Sequence, residues 1–146
     1  MSGYLGTPQT NSVAFRFNKA NRKMFIFNSN TILMADPSGD GNLEKYAGTG
    51  ATLSYGSSDL ATMAKSAKVQ PTDLDFLPNG NVIFTDRTAG CVRKVTTDGY
   101  ISSFAGRCGF AGTTMCLGTS ATACDLISPQ LLAVSQINGT VYIYRK

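Results

Sequence analysis

The sequence contains no histidine and no tryptophan. Without imidazole there is no His-based general acid or base, no serine triad that relies on histidine, and almost no route to a zinc or haem site. No run approaches the roughly 18 to 20 consecutive apolar residues that a membrane-spanning helix needs. Residues 1–10 are polar and glycine-rich, not the charged and then apolar stretch of a secretion signal. Charge is scarce at 15% of residues, and 13 basic against 9 acidic side chains leave a formal +4. So small and evenly spread an excess does not make nucleic acid an expected partner. The four cysteines, Cys91, Cys108, Cys116 and Cys124, match none of the paired C-x-x-C spacings of a zinc site.

What is present is 146 residues, 42% of them hydrophobic, with 15 glycines, enough for one modest globular core. Laid against itself, the sequence repeats. Tyr46-Ala47-Gly48 returns as Phe104-Ala105-Gly106 and Asp40-Gly41 as Asp98-Gly99, and at the same offset residues 24–28 overlie 82–86 and residues 67–71 overlie 125–129. One further residue of offset sets Asn79-Gly80 on Asn138-Gly139, so a third copy begins before the sequence stops. Three units follow: 13–70, 71–128 and 129–146, behind a linker or arm at 1–12.

Inside each unit, short runs of β-branched and aromatic residues alternate with Asn-Gly and Asp-Gly turns, which predicts strands. First strands are expected at 13–17, 74–77 and 131–135, and second strands at 24–28, 82–86 and 141–145. Third and fourth strands are expected at 31–35 and 91–95, then 43–47 and 101–105. Long loops of small and polar residues, 48–70 and 106–128, lead into the next unit, and Leu60, Met63, Ala64 and Ala67 have the spacing of one or two helical turns. Four antiparallel strands per repeat of several tens of residues is the arithmetic of a β-propeller blade. The expected fold is therefore all-β, an incomplete ring of four-stranded blades completed by more chain or by other protomers.

The second unit reads Pro71-Thr-Asp-Leu-Asp-Phe-Leu-Pro-Asn-Gly-Asn-Val-Ile-Phe-Thr-Asp86, then Cys91-Val-Arg-Lys-Val95, Asp98-Gly99 and Phe104-Ala105-Gly106. It resembles the NHL repeat, and the alanine-rich lead-in 121–129 resembles the variety found in teneurin-like extracellular propellers. The first unit departs from that pattern, with Asn28 in place of the strand-ending aspartate and 31–36 in place of the Arg-Lys strand. The resemblance implies blades that mediate contacts with proteins, glycans or, in some relatives, RNA. A minority of related propellers are metal-dependent enzymes, and those resembling amidating lyases use metal-bound histidines that this chain lacks.

The chemistry on offer is modest. Asp36-Pro-Ser-Gly-Asp-Gly-Asn42 has the oxygen spacing of a calcium loop but no glutamate at the twelfth position, and a glycine-rich hairpin turn accounts for it. Asp73 and Asp75 fall on one side of a strand, a pairing that a glycosidase would need, although nothing recurs at Leu131, Leu132 and Ala133. Asp86 is expected to accept backbone or arginine hydrogen bonds. Arg16, Lys19, Arg22 and Lys23 form a possible patch for an anionic ligand, or else a solvated turn. Folding about Asp98-Gly99 brings Cys91 near Cys108 and leaves Cys116 for Cys124, but three connectivities stay open. Asn138-Gly139-Thr140 is a glycosylation sequon and also an ordinary turn.

These observations lead to a non-enzymatic binding or structural module at the cell surface or outside it, with no cofactor or resident metal. Its partners would be protein or glycan, and it would self-associate or continue into a longer chain. The alternatives are a propeller enzyme using aspartates and a hard metal, and an RNA-binding surface with steep salt dependence. An extracellular address requires that the chain start inside a longer precursor or that Met1 not be the natural start.

Overall fold

The computed structural model describes residues 13–52, 61–110, 112–113 and 120–145. The chain forms two four-stranded meanders and a two-stranded hairpin. The first sheet comprises β1 (Ala14–Asn18), β2 (Lys23–Phe27), β3 (Ile32–Ala35) and β4 (Leu43–Ala47). The second comprises β5 (Pro71–Phe76), β6 (Val82–Asp86), β7 (Cys91–Val95) and β8 (Ile101–Ala105), and the hairpin β9 (Pro129–Val134) and β10 (Val141–Arg145). Strands pair in sequence order, each antiparallel to its neighbour. The fold is all-β, made of the blades of an incomplete propeller.

Most strands fall where the residue pattern puts them, with differences at the first strand of each unit. Pro71 and Pro129 do not precede the strand but open it, at the one strand position where a missing N–H costs no ladder bond. Phe17 pairs with Met24 but Phe76 with Val82, so the innermost strands correspond one residue beyond the 58-residue offset of the second strands. Between those paired residues the chain is one residue longer in the first unit than in the second. The helical spacing at 60–67 yields a single 3-10 turn, Ala64–Ser66. Its neighbours are bonded elsewhere: Ala64 N–H donates to Gly99 O, Ile101 N–H to Thr62 O, and Thr49 N–H to Ala67 O. Sheet-edge bonds have replaced the helical ones.

The repeated Ala-Gly after each fourth strand has a steric reason. Gly48 and Gly106 both take positive φ, +94° and +82°, where side chains are disfavoured. A Cβ on Gly48 would collide with the Asn30 carbonyl, and one on Gly106 would press on Leu126 and the Cys91 backbone. The glycine lets the outer strand turn inward along its own blade.

Two apolar layers result. Between the two sheets lie Phe25, Phe27 and Ile32 against Leu74, Phe76 and Phe84, with Phe25 and Phe76 ring centroids 5.1 Å apart. Between the second sheet and the hairpin lie Ile83, Val92 and Leu126 against Leu132, Val134 and Ile143. Every residue of β6 is buried because both its faces are covered. Each such side chain is worth roughly 1.5 to 3 kcal/mol of apolar burial, which makes the second sheet the centre of the structure.

Candidate functional site

Strand alternation turns Asp73 and Asp75 of β5 toward β9, where they meet its unpaired backbone edge. Asp73 Oδ2 accepts the Leu132 N–H at 3.0 Å, and Asp75 Oδ2 accepts the Val134 N–H at 2.8 Å. Their Oδ1 atoms accept the N–H of the next residue in β5, Leu74 and Phe76, each at 2.9 Å. Arg16 of β1 adds a charge-assisted bond to Asp73 Oδ1 at 2.7 Å, and Gln136 Nε2 reaches Phe76 O at 2.8 Å. All four carboxylate oxygens thus accept a hydrogen bond, and three of them tie β5 to β1 or β9. A pair of free carboxyls, as glycoside hydrolysis would require, is not what this arrangement offers.

The cationic cluster is divided by the same contacts. Arg16 turns across to Asp73, while Lys19 and Arg22 stay exposed in the β1–β2 turn and Lys23 begins β2.

Asp86 closes the other end of the blade. Its Oδ1 accepts the N–H groups of Gln70 at 3.3 Å and Ala89 at 3.2 Å, and Oδ2 lies 3.5 Å from Arg93 Nη1. Arg93 also donates to Lys68 O at 3.1 Å, so the buried pair anchors the linker that enters the second sheet. Burial pushes the Asp86 carboxyl above the usual carboxylate range, against the pull of the Ala89 N–H and the Arg93 charge. Asn28, at the matching position of the first sheet, makes only local turn bonds among the described residues, accepting the N–H groups of Asn30 and Thr31, both at 3.1 Å.

The linker after β8 is stapled twice over. Cys91 and Cys108 form a disulfide, joining β7 to the residues just beyond β8. Cys124 is also disulfide-bonded, and Cys116 lies outside the described residues. Arg107 grips the buried Asp125 in a two-pronged pair, Nε to Oδ1 and Nη2 to Oδ2, both 2.8 Å, and its guanidinium lies 4.9 Å from the Phe110 ring centre. Sequence reasoning passed over this pair. Its only signal was the appearance of Arg107 and Asp125 where the first unit carries Thr49 and Ala67 or Lys68.

Asp36 and Asp40 belong to turns. Asp36 accepts from the Ser38 hydroxyl and N–H, and Asp40 from the Asn42 N–H at 3.0 Å and side-chain amide at 2.6 Å, bonds that hold both carboxyls below their ordinary pKa. Among the described residues no group of three or more Asp, Glu, Cys or His is placed to hold a metal. Asn138 is exposed in the β9–β10 turn, where its carbonyl accepts the Thr140 N–H at 3.1 Å just as Asn79 accepts that of Asn81. No helix among the described residues is long and apolar enough to cross a membrane.

Apolar side chains remain uncovered at both ends of the stack. Phe15 and Phe17 of β1 are exposed, with Val13 just before it, as are Leu131, Tyr142 and Tyr144 of the hairpin. Beside the latter, Arg16, Asp73, Leu131, Tyr142 and Tyr144 border an open hollow of about 450 Å³.

No protein-family model and no curated protein matches the sequence. Solved structures from Bacteroides thetaiotaomicron share the fold. A protein of unknown function has a TM-score of 0.74 at 21% identity, covering 99% of this chain and 34% of its own. An auxiliary nutrient binding protein has a TM-score of 0.68 at 18% identity, covering 90% of this chain and 34% of its own. A third, provisionally described as a phosphatase, has a TM-score of 0.64 at 18% identity over 90% of this chain and 31% of its own. The chain therefore spans about a third of the length of these structures. Identities this low speak for the fold alone.

Proposed function

We propose that the chain is a non-enzymatic binding module, a run of NHL-like propeller blades of the teneurin-like kind, in which 13–70, 71–128 and 129–146 are successive units. The observation that carries this reading is the commitment of Asp73 and Asp75: each oxygen receives a donor from the framework, leaving the pair a structural clasp. The nutrient-binding description of one structural relative agrees with a contact role. The disulfide at Cys91 and Cys108 favours an oxidising location, at the cell surface or outside it. Protein or glycan is the partner, met by blade faces, edges and linkers, and self-association is part of the same contact chemistry.

Two readouts test it together. Electrophoresis through native gels containing soluble starch, xylan or mannan is expected to show retardation by at least one polysaccharide, and thermal melting is expected to be indifferent to calcium and to chelator. Unchanged mobility in all three gels restricts the partner to protein. A melting temperature that rises with calcium and falls with chelator contradicts the reading and favours a metal-dependent propeller enzyme.

A further inference from the structure

We infer that Asn138 is the acceptor of an N-linked glycan on this chain. This rests on the reading that the chain works at the cell surface or outside it, and adds a modification site to that reading. The turn between first and second strands is built the same way in all three units. Asn21 accepts the Lys23 N–H, Asn79 the Asn81 N–H and Asn138 the Thr140 N–H, each at 3.1 Å. The residue between takes positive φ in every case: Arg22 at +59°, Gly80 at +86° and Gly139 at +71°. The fold thus accounts for the asparagine and for the left-handed residue after it. It asks nothing of the side chain two places on, which is lysine, asparagine and threonine in turn. Thr140 serves the hairpin through its main chain, its N–H donating to Asn138 and its carbonyl accepting the Ser135 N–H at 2.8 Å. Its hydroxyl makes no hydrogen bond among the described residues.

A hydroxyl two residues beyond an asparagine is what completes the Asn-X-Thr acceptor pattern. Of the nine asparagines in the sequence, only Asn138 has one. The turn also presents the reacting atom. Asn138 Oδ1 is taken by the Thr140 N–H, while Nδ2 donates to no group among the described residues and the side chain is exposed. That exposure does not depend on what lies beyond the hairpin, because Asn79, in a sheet packed on both faces, is exposed at the same point of its own turn. Ile137, immediately before the acceptor, is 97% exposed, an aliphatic side chain that the apolar face of an attached sugar would shield. In the linking step Nδ2 bonds to the anomeric carbon of a lipid-linked oligosaccharyl diphosphate. The bond from that carbon to the diphosphate oxygen breaks, the oxygen keeps the electron pair, and Nδ2 gives up one proton to the base of the transferase.

The test is the intact mass of the chain directed through the secretory route of a eukaryotic cell, which supplies the transferase and the lipid-linked donor. The wild type is expected at one glycan above 15.5 kDa, and peptide N-glycosidase is expected to remove the excess and leave aspartate at position 138. Thr140→Val keeps the main-chain turn bond but loses the hydroxyl, and is expected at the bare mass. Thr140→Ser restores a hydroxyl and is expected to keep the glycan. Asn138→Gln gives a second bare-mass variant should Thr140→Val not be secreted. A wild type at the bare mass overturns the inference, as does a glycan that persists in Thr140→Val or Asn138→Gln. A bare Asn138 in a chain that carries the Cys91–Cys108 bond overturns the glycan site while the surface reading stands. Reduced cysteines beside a modified Asn138 would overturn the surface reading and leave the glycan site.

Discussion

The main-chain N–H of Leu132 donates to Asp73 Oδ2 at 3.0 Å, across 59 residues of sequence. A strand edge that would otherwise be open is thereby closed by side chains of the preceding blade, which keeps it from pairing at random. Asp73→Ala leaves the Leu132 N–H and Arg16 without their acceptor. Urea denaturation is expected to show a loss of about 2 kcal/mol. Asp75→Ala, at a half-buried site with no arginine partner among the described residues, is expected to cost less.

The Cys91–Cys108 disulfide closes a loop of sequence separation 17. In the chain-entropy account a loop of that size contributes about 3 kcal/mol. Replacing both cysteines by alanine is expected to remove most of that, read by the same denaturation. A loss below about 1 kcal/mol would show that the linker is held chiefly by its other contacts.

Arg107→Ala removes the partner of a carboxylate that is almost wholly buried. The expected loss of stability is smaller than for a fully buried pair, because Arg107 itself is exposed to solvent. Arg107→Lys keeps the charge but cannot form both bonds at once, so it is expected to recover only part of the loss. Equal stability of the lysine variant and wild type would assign the effect to charge alone.

Asp86 predicts a pH dependence of definite sign. Burial raises its carboxyl pKa, so the folded chain retains a proton that the unfolded chain releases. Its contribution to stability is full below the ordinary carboxylate pKa and is lost as pH rises through the raised value. Asp86→Asn keeps an acceptor for Gln70 and Ala89 but does not titrate. The difference in melting temperature, variant minus wild type, is expected to become more positive as pH climbs through that window. Asp36 and Asp40, whose pKa values are lowered, act in the opposite direction in both proteins and cancel from the difference.

The strands were legible because their signals are local. Val82–Asp86 and Cys91–Val95 follow from β-branched runs bounded by turns, and the Asn79-Gly80 and Asn138-Gly139 turns repeat down to the bond each asparagine accepts. The roles of the aspartates were only half legible. Alternation placed Asp73 and Asp75 together, but nothing local shows that their acceptors are filled by amides at the far end of the next linker. The helical spacing at 60–67 misled for the same reason, since distant sheet edges claimed the backbone groups that a helix would have used. Arg107 and Asp125 stand 18 residues apart in a linker without periodicity, where no pattern joins them.

The central claim is that Asp73 and Asp75 hold successive blades together. It is tested most directly by amide hydrogen exchange at Leu132 and Val134, compared between wild type and Asp73→Ala with Asp75→Ala. The account predicts that both amides are protected in the wild type and exchange much faster in the double variant, while β2 and β3 keep their protection. Equal exchange in the two proteins would contradict it, and would return the two carboxylates to the list of groups free for chemistry.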